Sequence, residues 1–131
     1  MKSGVTALDH INFRASAAMI ERLRVFYRDV IGLRDGARPP FRSRGYWLYA
    51  DGRDLLHLTI TPDDDGGLPE QPARTGWLDH IAFACDDPVA MRARLDAAAV
   101  RYEIDEVPAS GQLQIFLTDP AGVGIELNFA R

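Results

Sequence analysis

Two short strings that occur twice constrain this chain more than any other feature. Leu8-Asp9-His10-Ile11-Asn12-Phe13 returns as Leu78-Asp79-His80-Ile81-Ala82-Phe83, seventy positions later. A second pair, Asp54-Leu55-Leu56-His57-Leu58 against Val123-Gly124-Ile125-Glu126-Leu127, lies sixty-nine positions apart. Two matches at nearly one offset indicate a duplicated unit, and 131 residues suffice for one domain built from two such halves. Each half opens with a strand bearing a histidine and closes with a strand bearing His57 or Glu126.

Between those strands the patterning predicts a helix and a hairpin in each half. Ser16 can cap a helix carrying Ile20, Leu23, Phe26 and Val30 on one stripe, with Gly32 as its stop. Asp87 followed by Pro88 starts the second helix, whose stripe is Met91, Leu95 and Ala98. Asp51-Gly52 turns the run Tyr46–Ala50 back into Leu55–Ile60, and Asp119-Pro120-Ala121-Gly122 turns Leu113–Thr118 into Val123–Phe129. The expected domain is therefore 1–131, with one module over about 5–60 and the other over 77–131. Residues 61–76, rich in Pro, Gly and Asp, are read as the linker.

All three histidines fall in predicted strands at repeat-related positions. Side chains alternate across a strand, so His10 shares a face with Leu8 and Asn12, His57 with Leu55 and Thr59, His80 with Leu78 and Ala82, and Glu126 with Gly124 and Asn128. The opposite faces are apolar: Leu56, Leu58 and Ile60 behind His57, and Ile125, Leu127 and Phe129 behind Glu126. A single strand histidine is more often hydrogen-bonded than ligating. Four such groups on faces expected to line a concavity need a partner, and one divalent metal ion suits imidazoles and a carboxylate together. No HExxH, CxxC or GxGxxG pattern competes for the role.

At these residues the chain resembles the vicinal oxygen chelate superfamily, the glyoxalase, bleomycin-resistance and extradiol-dioxygenase group. The marks are LDHINF at 8–13, FYRDVIGL at 26–33, LDHIAF at 78–83 and FLTDPAGVGIELNF at 116–129. The resemblance implies an α+β fold of two βαβββ modules forming a curled, barrel-like open sheet around one divalent metal (Fe, Mn, Ni, Co or Zn). It carries the ligand positions onto His10, His57, His80 and Glu126, with Glu126 and His57 as the candidate catalytic groups, and it implies a homodimer acting on a small-molecule substrate. The expected chemistry is chelation of vicinal oxygens and stabilisation of an enediolate or oxyanion, with glyoxalase-type isomerase or lyase activity preferred. Glyoxalase-type members usually carry a glutamate where this chain has His57. An Fe(II) extradiol-type dioxygenase would use His10, His80 and Glu126 as ligands and free His57 as acid–base. A third reading is a drug-sequestering protein of the bleomycin-resistance kind.

Further candidates surround this quartet. Tyr46, Trp47, Tyr49 and Trp77 offer stacking surfaces, with either Tyr46 or Trp47 toward the cleft. Arg38, Arg42 and Arg44 flank Pro39-Pro40-Phe41 and can clamp an anion. Gln112 and Gln114 are placed on a strand beside Glu126, where they can steer it. Asp63-Asp64-Asp65 lacks the spaced ligands of a calcium loop. Cys85, the only cysteine, rules out an internal disulfide, fits a reducing cytoplasm and reads as a small apolar residue rather than a reactive thiol. A net charge of −4 argues against nucleic acid, and no apolar run approaches the roughly 18 residues of a membrane span.

Overall fold

The computed structural model describes residues 4, 7–61, 78, 80–107 and 110–129. Asp63–Asp65, Trp77 and the linker beyond Thr61 lie outside the described residues. The elements run β1 (Ile11–Ala15), α1 (Ala17–Val25) continuing into a π-helical turn (Phe26–Ile31), β2 (Arg34–Gly36), β3 (Gly45–Ala50) and β4 (Arg53–Ile60). They are followed by β5 (His80–Cys85), α2 (Pro88–Ala97), β6 (Glu103–Glu106), β7 (Leu113–Thr118) and β8 (Gly124–Phe129). Each half is therefore βαβββ, and the fold is the α+β architecture expected.

Two open, four-stranded mixed sheets result, ordered β1-β4-β3-β2 and β5-β8-β7-β6. In both, the first and last strands of the module pair in parallel and the other ladders are antiparallel. The chain divides into two compact units, Met1–Arg28 with Gly32–Gly67, and Asp29–Ile31 with Leu68–Arg131.

The helix starts follow the expected chemistry. Ser16 Oγ accepts a hydrogen bond from the Met19 amide at 3.2 Å, and the Asp87 carboxylate accepts from the Ala90 amide at 3.0 Å with Pro88 in the first turn. Gly32 ends the first helix at φ 103°, where its amide and that of Leu33 both donate to the Tyr27 carbonyl. The π-helical turn was not legible in advance. Phe26 and Tyr27 within it are both buried.

In the first unit, Met19, Ile20 and Leu23 of α1 are buried along with Leu48, Leu56, Leu58 and Ile60 of the sheet. In the second, the buried residues include Leu95 of α2 and Ile115, Leu117, Ile125, Leu127 and Phe129 of the sheet. Full burial of each such side chain contributes about 1.5–3 kcal/mol. The predicted stripe of α2 is corrected: Met91 is only half-buried, and Ala98 is exposed at the C-cap, one residue past the helix. With Leu95 alone fully inside, a stripe of three overstated how much of α2 faces the core.

Candidate metal centre and substrate face

Strand alternation places the four candidate ligands as expected within each unit. Leu56, Leu58 and Ile60 are buried, and His57 projects from the other side of β4 with its side chain 13% exposed. Across the ladder His57 stands opposite Asn12 on β1 and Trp47 on β3. His10, just before β1, lies over the same face, its ring stacked on His57 with centroids 3.8 Å apart and planes at 14°. Trp47 stacks on the His57 ring at 4.0 Å and 7°, and Phe41 leans on Trp47 at 6.1 Å and 48°.

Each histidine of this pair has its own carboxylate. His10 Nδ1 lies 2.7 Å from Asp9 Oδ2, and His57 Nε2 lies 2.7 Å from Asp54 Oδ2. The hydrogen bond with His57, first among several causes, holds the Asp54 carboxyl below the ordinary carboxylate range. Neither acid was singled out from sequence. Asp54 sits three residues from His57, an interval at which strict alternation places it on the far side, and the ladder is irregular nearby between Leu48 and Ala50.

The second unit holds its pair differently. His80 Nε2 lies 3.9 Å from Glu126 Oε1, with the histidine side chain 46% exposed and the glutamate 15%. The other carboxylate oxygen, Oε2, accepts from Asn128 Nδ2 at 2.8 Å, and Asn128 Oδ1 accepts from Gln114 Nε2 at 2.8 Å. Gln114 thus steers Glu126 through Asn128. Gln112 does not: it precedes β7, and its backbone bonds to Ser110 and Val107. The turn before β8 fixes this register, because buried Asp119 accepts from the amides of Ala121 and Val123 at 2.8 and 3.0 Å.

The donor types, three imidazoles and a carboxylate, suit a divalent cation. The His80–Glu126 gap is within reach of a bridging cation whose bonds are about 2.0–2.2 Å. The first pair fits less well, since imidazole lone pairs lie in the ring plane and two nearly parallel stacked rings cannot aim them at one point. His10 must turn off His57 before both can ligate. Among the described residues no group of three or more His, Cys, Asp or Glu is placed to hold a metal ion.

A concavity of about 550 Å³ on this face of the first unit includes His10, Arg14, Arg38, Phe41, Trp47 and His57 in its lining. Trp47, not Tyr46, belongs to it; Tyr46 turns toward α1, where the Arg24 guanidinium lies 4.2 Å from its ring centre. Tyr49 is used structurally, its hydroxyl donating to the Ala37 carbonyl and its ring filling the space a Cβ at Gly36 would need. Of the three loop arginines, Arg38 lines the concavity and donates to Ser43 O and Oγ at 2.9 and 3.0 Å, while Arg42 and Arg44 are exposed. Arg14 was overlooked, although alternation from His10 through Asn12 puts it on this face. A larger concavity, about 740 Å³, lies along Val100–Glu103 and Phe116–Thr118 and contains none of the four candidates. Burial, with a smaller effect from Asp86, raises the pKa of the Cys85 thiol, which fits the apolar role read from sequence.

A sequence profile described as "Glyoxalase/Bleomycin resistance protein/Dioxygenase superfamily" matches residues 7–127. No curated protein matches the chain. Among solved structures, a protein assigned to the glyoxalase family from Bacillus anthracis is similar at TM-score 0.73 and 20% identity, over 100% of both chains. A lactoylglutathione lyase from Agrobacterium tumefaciens is similar at 0.65 and 22%, over 98% of this chain and 96% of its own. A glyoxylase/bleomycin resistance protein/dioxygenase domain from Frankia sp. EAN1pec is similar at 0.73 and 15%, over 98% and 100%. At these identities the structural likeness speaks to fold. No helix among the described residues is long and apolar enough to cross a membrane.

Proposed function

The chain belongs to the glyoxalase/bleomycin resistance protein/dioxygenase superfamily, and from that premise we propose that it is a divalent-metal-dependent enzyme of a small-molecule substrate. His10, His57, His80 and Glu126 are the residues that would hold the ion. A divalent cation bound there supplies Lewis-acid polarisation of neighbouring substrate oxygens. The observation that carries the reading is the matched pairs: in each unit two candidate ligands stand on one face, near the parallel ladder that joins the first and last strands.

Glu126 is the proton-transferring group in this reading. Its carboxylate is held in orientation by the Asn128 amide, which donates to Oε2. We prefer isomerase or lyase chemistry, in a cytoplasmic homodimer with neither nucleic acid nor membrane as partner. A second reading rests on the Asp54–His57 hydrogen bond, which suits His57 as an acid–base group, the role an extradiol-type oxygenase demands.

Elemental analysis of the dialysed protein tests the metal centre. The expected result is about one divalent ion per chain, lost in His80→Ala and in Glu126→Ala; unchanged metal content in both variants refutes the site. Isomerase turnover gained with Ni, Co or Mn in His57→Glu supports the preferred chemistry. Dioxygen uptake with catechols that requires Fe(II) and falls in His57→Ala selects the second reading.

A further inference from the structure

We propose that the concavity of the first unit is a binding site for a flat aromatic carboxylate, held by its ring on Trp47 and Phe41 and by its charge on Arg14 and Arg38. The proposal rests on the reading of this face as the substrate face and names the chemical class admitted there.

The pairing of the charged groups in the pocket is the first observation. Asp9 and Asp54 line it, but each is engaged by a histidine at 2.7 Å. Among the described residues neither Arg14 nor Arg38 has a carboxylate partner; Arg38 is held by Ser43, and its Nε is buried without an acceptor. One concavity thus holds two guanidinium groups that have no carboxylate partner of their own among the described residues, beside two carboxylates already bonded to the histidines. A guanidinium carries five N–H donors in a planar fork suited to the two oxygens of a carboxylate, and the Ser43 bonds leave part of that capacity on Arg38 unused.

The shape of the face is the second. Arg14, Thr59 and Gly45 form one row across β1, β4 and β3, adjacent to the row of Asn12, His57 and Trp47. Successive rows on one face are roughly 6.6–6.8 Å apart along the strands. Gly45 contributes no side chain, and none can be added without collision, since a Cβ there would stand 2.0 Å from the Leu58 carbonyl oxygen. The arginine row thus carries only the side chains of Arg14 and Thr59, while the next row carries the indole. Phe41, 53% exposed, tilts over Trp47, and the Arg38 guanidinium lies 5.0 Å from its ring centre, so exposed aromatic surface and cation border each other there. A planar ring against that surface brings an attached carboxylate toward the arginine row.

The repeat supplies an internal control. Seventy residues after Arg14 stands Ala84, so the duplicated fold does not itself require a cation at this position.

The test uses the full chain stripped of metal with EDTA and titrated calorimetrically with 2-naphthoate, 2-naphthamide and cyclohexanecarboxylate. Naphthoate is expected to bind, with the neutral amide and the non-aromatic acid each at least tenfold weaker. Arg14→Ala should weaken naphthoate at least tenfold and leave the amide unchanged, and Trp47→Ala should weaken both aromatic probes. If Trp47→Ala loses its folded circular-dichroism spectrum, Phe41→Ala, at an exposed position, replaces it. Equal affinity for naphthoate and naphthamide, or unchanged naphthoate binding in Arg14→Ala, overturns the proposal. So does naphthoate binding that appears only after metal is restored. Because metal content is measured separately, none of these results decides the metal centre, and loss of the metal centre would leave the carboxylate site standing.

Discussion

The two sheets share strand order, ladder directions and the positions of their candidate ligands, yet they hold those groups by different physics. In the first unit the pair is two imidazoles stacked on each other and on an indole, each bonded to a carboxylate. In the second it is an exposed imidazole and a carboxylate fixed by two amide side chains in series. Duplication reproduced the backbone positions, and divergence at Trp47 against Phe116, or Thr59 against Asn128, set the chemistry. The helices differ in the same sense. Met19, Ile20 and Leu23 are buried in α1, whereas only Leu95 is buried in α2.

That inequality predicts the largest effect. Leu95→Ala should cost about 2–5 kcal/mol, because it removes the sole fully buried contact of α2 and leaves a cavity beneath it. Hydrogen exchange should show α2 amides opening locally in this variant while α1 remains protected. Leu23→Ala falls in the same range by denaturant unfolding, but Met19 and Ile20 still anchor α1, so its amides should keep their rank. A loss below about 1 kcal/mol for Leu95→Ala would mean that α2 is held by other contacts, and the comparison of the two helices fails.

The hairpin turns give a smaller contrast. Asp119 is 3% exposed and accepts from two amides, so Asp119→Ala leaves buried donors unpaired and should cost about 1–3 kcal/mol. Its counterpart Asp51 is exposed, at φ 54° beside Gly52 at φ 77°. Asp51→Asn keeps a side chain that tolerates this left-handed backbone and should change stability by less than about 0.5 kcal/mol. Denaturant midpoints of the two variants check both. Equal losses would show that the turns are not differently built.

The repeat, both helix caps, the two turns and the facing of His57 and Glu126 were legible because each follows from local rules: period two in strands, side-chain caps, and turn residues with fixed backbone demands. Less legible were features that need tertiary geometry. The stacking of His10 on His57 depends on how residues before β1 fold over β4, and Asp54 reaches His57 despite an unfavourable interval. The choice of Trp47 over Tyr46 needed the ladder register, which the hairpin alone did not supply. Gln114 and Gln112 looked equivalent until the start of β7 at Leu113 separated them. The motif at 119–126 carries two separable roles, with Asp119 shaping the turn and Glu126 bearing the chemistry.

The smallest effect concerns how each unit ties its short edge segment to its helix. Arg24 of α1 donates to both oxygens of Asp35 on β2, at 3.0 and 3.1 Å, and Arg28 adds a bond at 3.3 Å. In the second unit Tyr102, just before β6, donates its hydroxyl to Asp96 of α2 at 2.6 Å. One tie is an ion pair and the other a hydroxyl–carboxylate bond. The hydrogen bond from Arg24 is the largest cause holding the Asp35 carboxyl below its ordinary pKa of 3.8. A folded pKa below the unfolded value stabilises the protein above the unfolded pKa, and that contribution disappears as pH falls through the folded pKa. Asp35 is 39% exposed, so solvent screening reduces the effect and Asp35→Asn should cost only about 0.5 kcal/mol at pH 7. The difference from the parent chain should shrink as pH drops below about 4 and should also shrink at high salt. Tyr102→Phe should show no such salt dependence, because it removes a hydroxyl rather than a charge. A salt-independent loss in Asp35→Asn would mean that the bidentate hydrogen-bond geometry, rather than charge, holds β2 to α1.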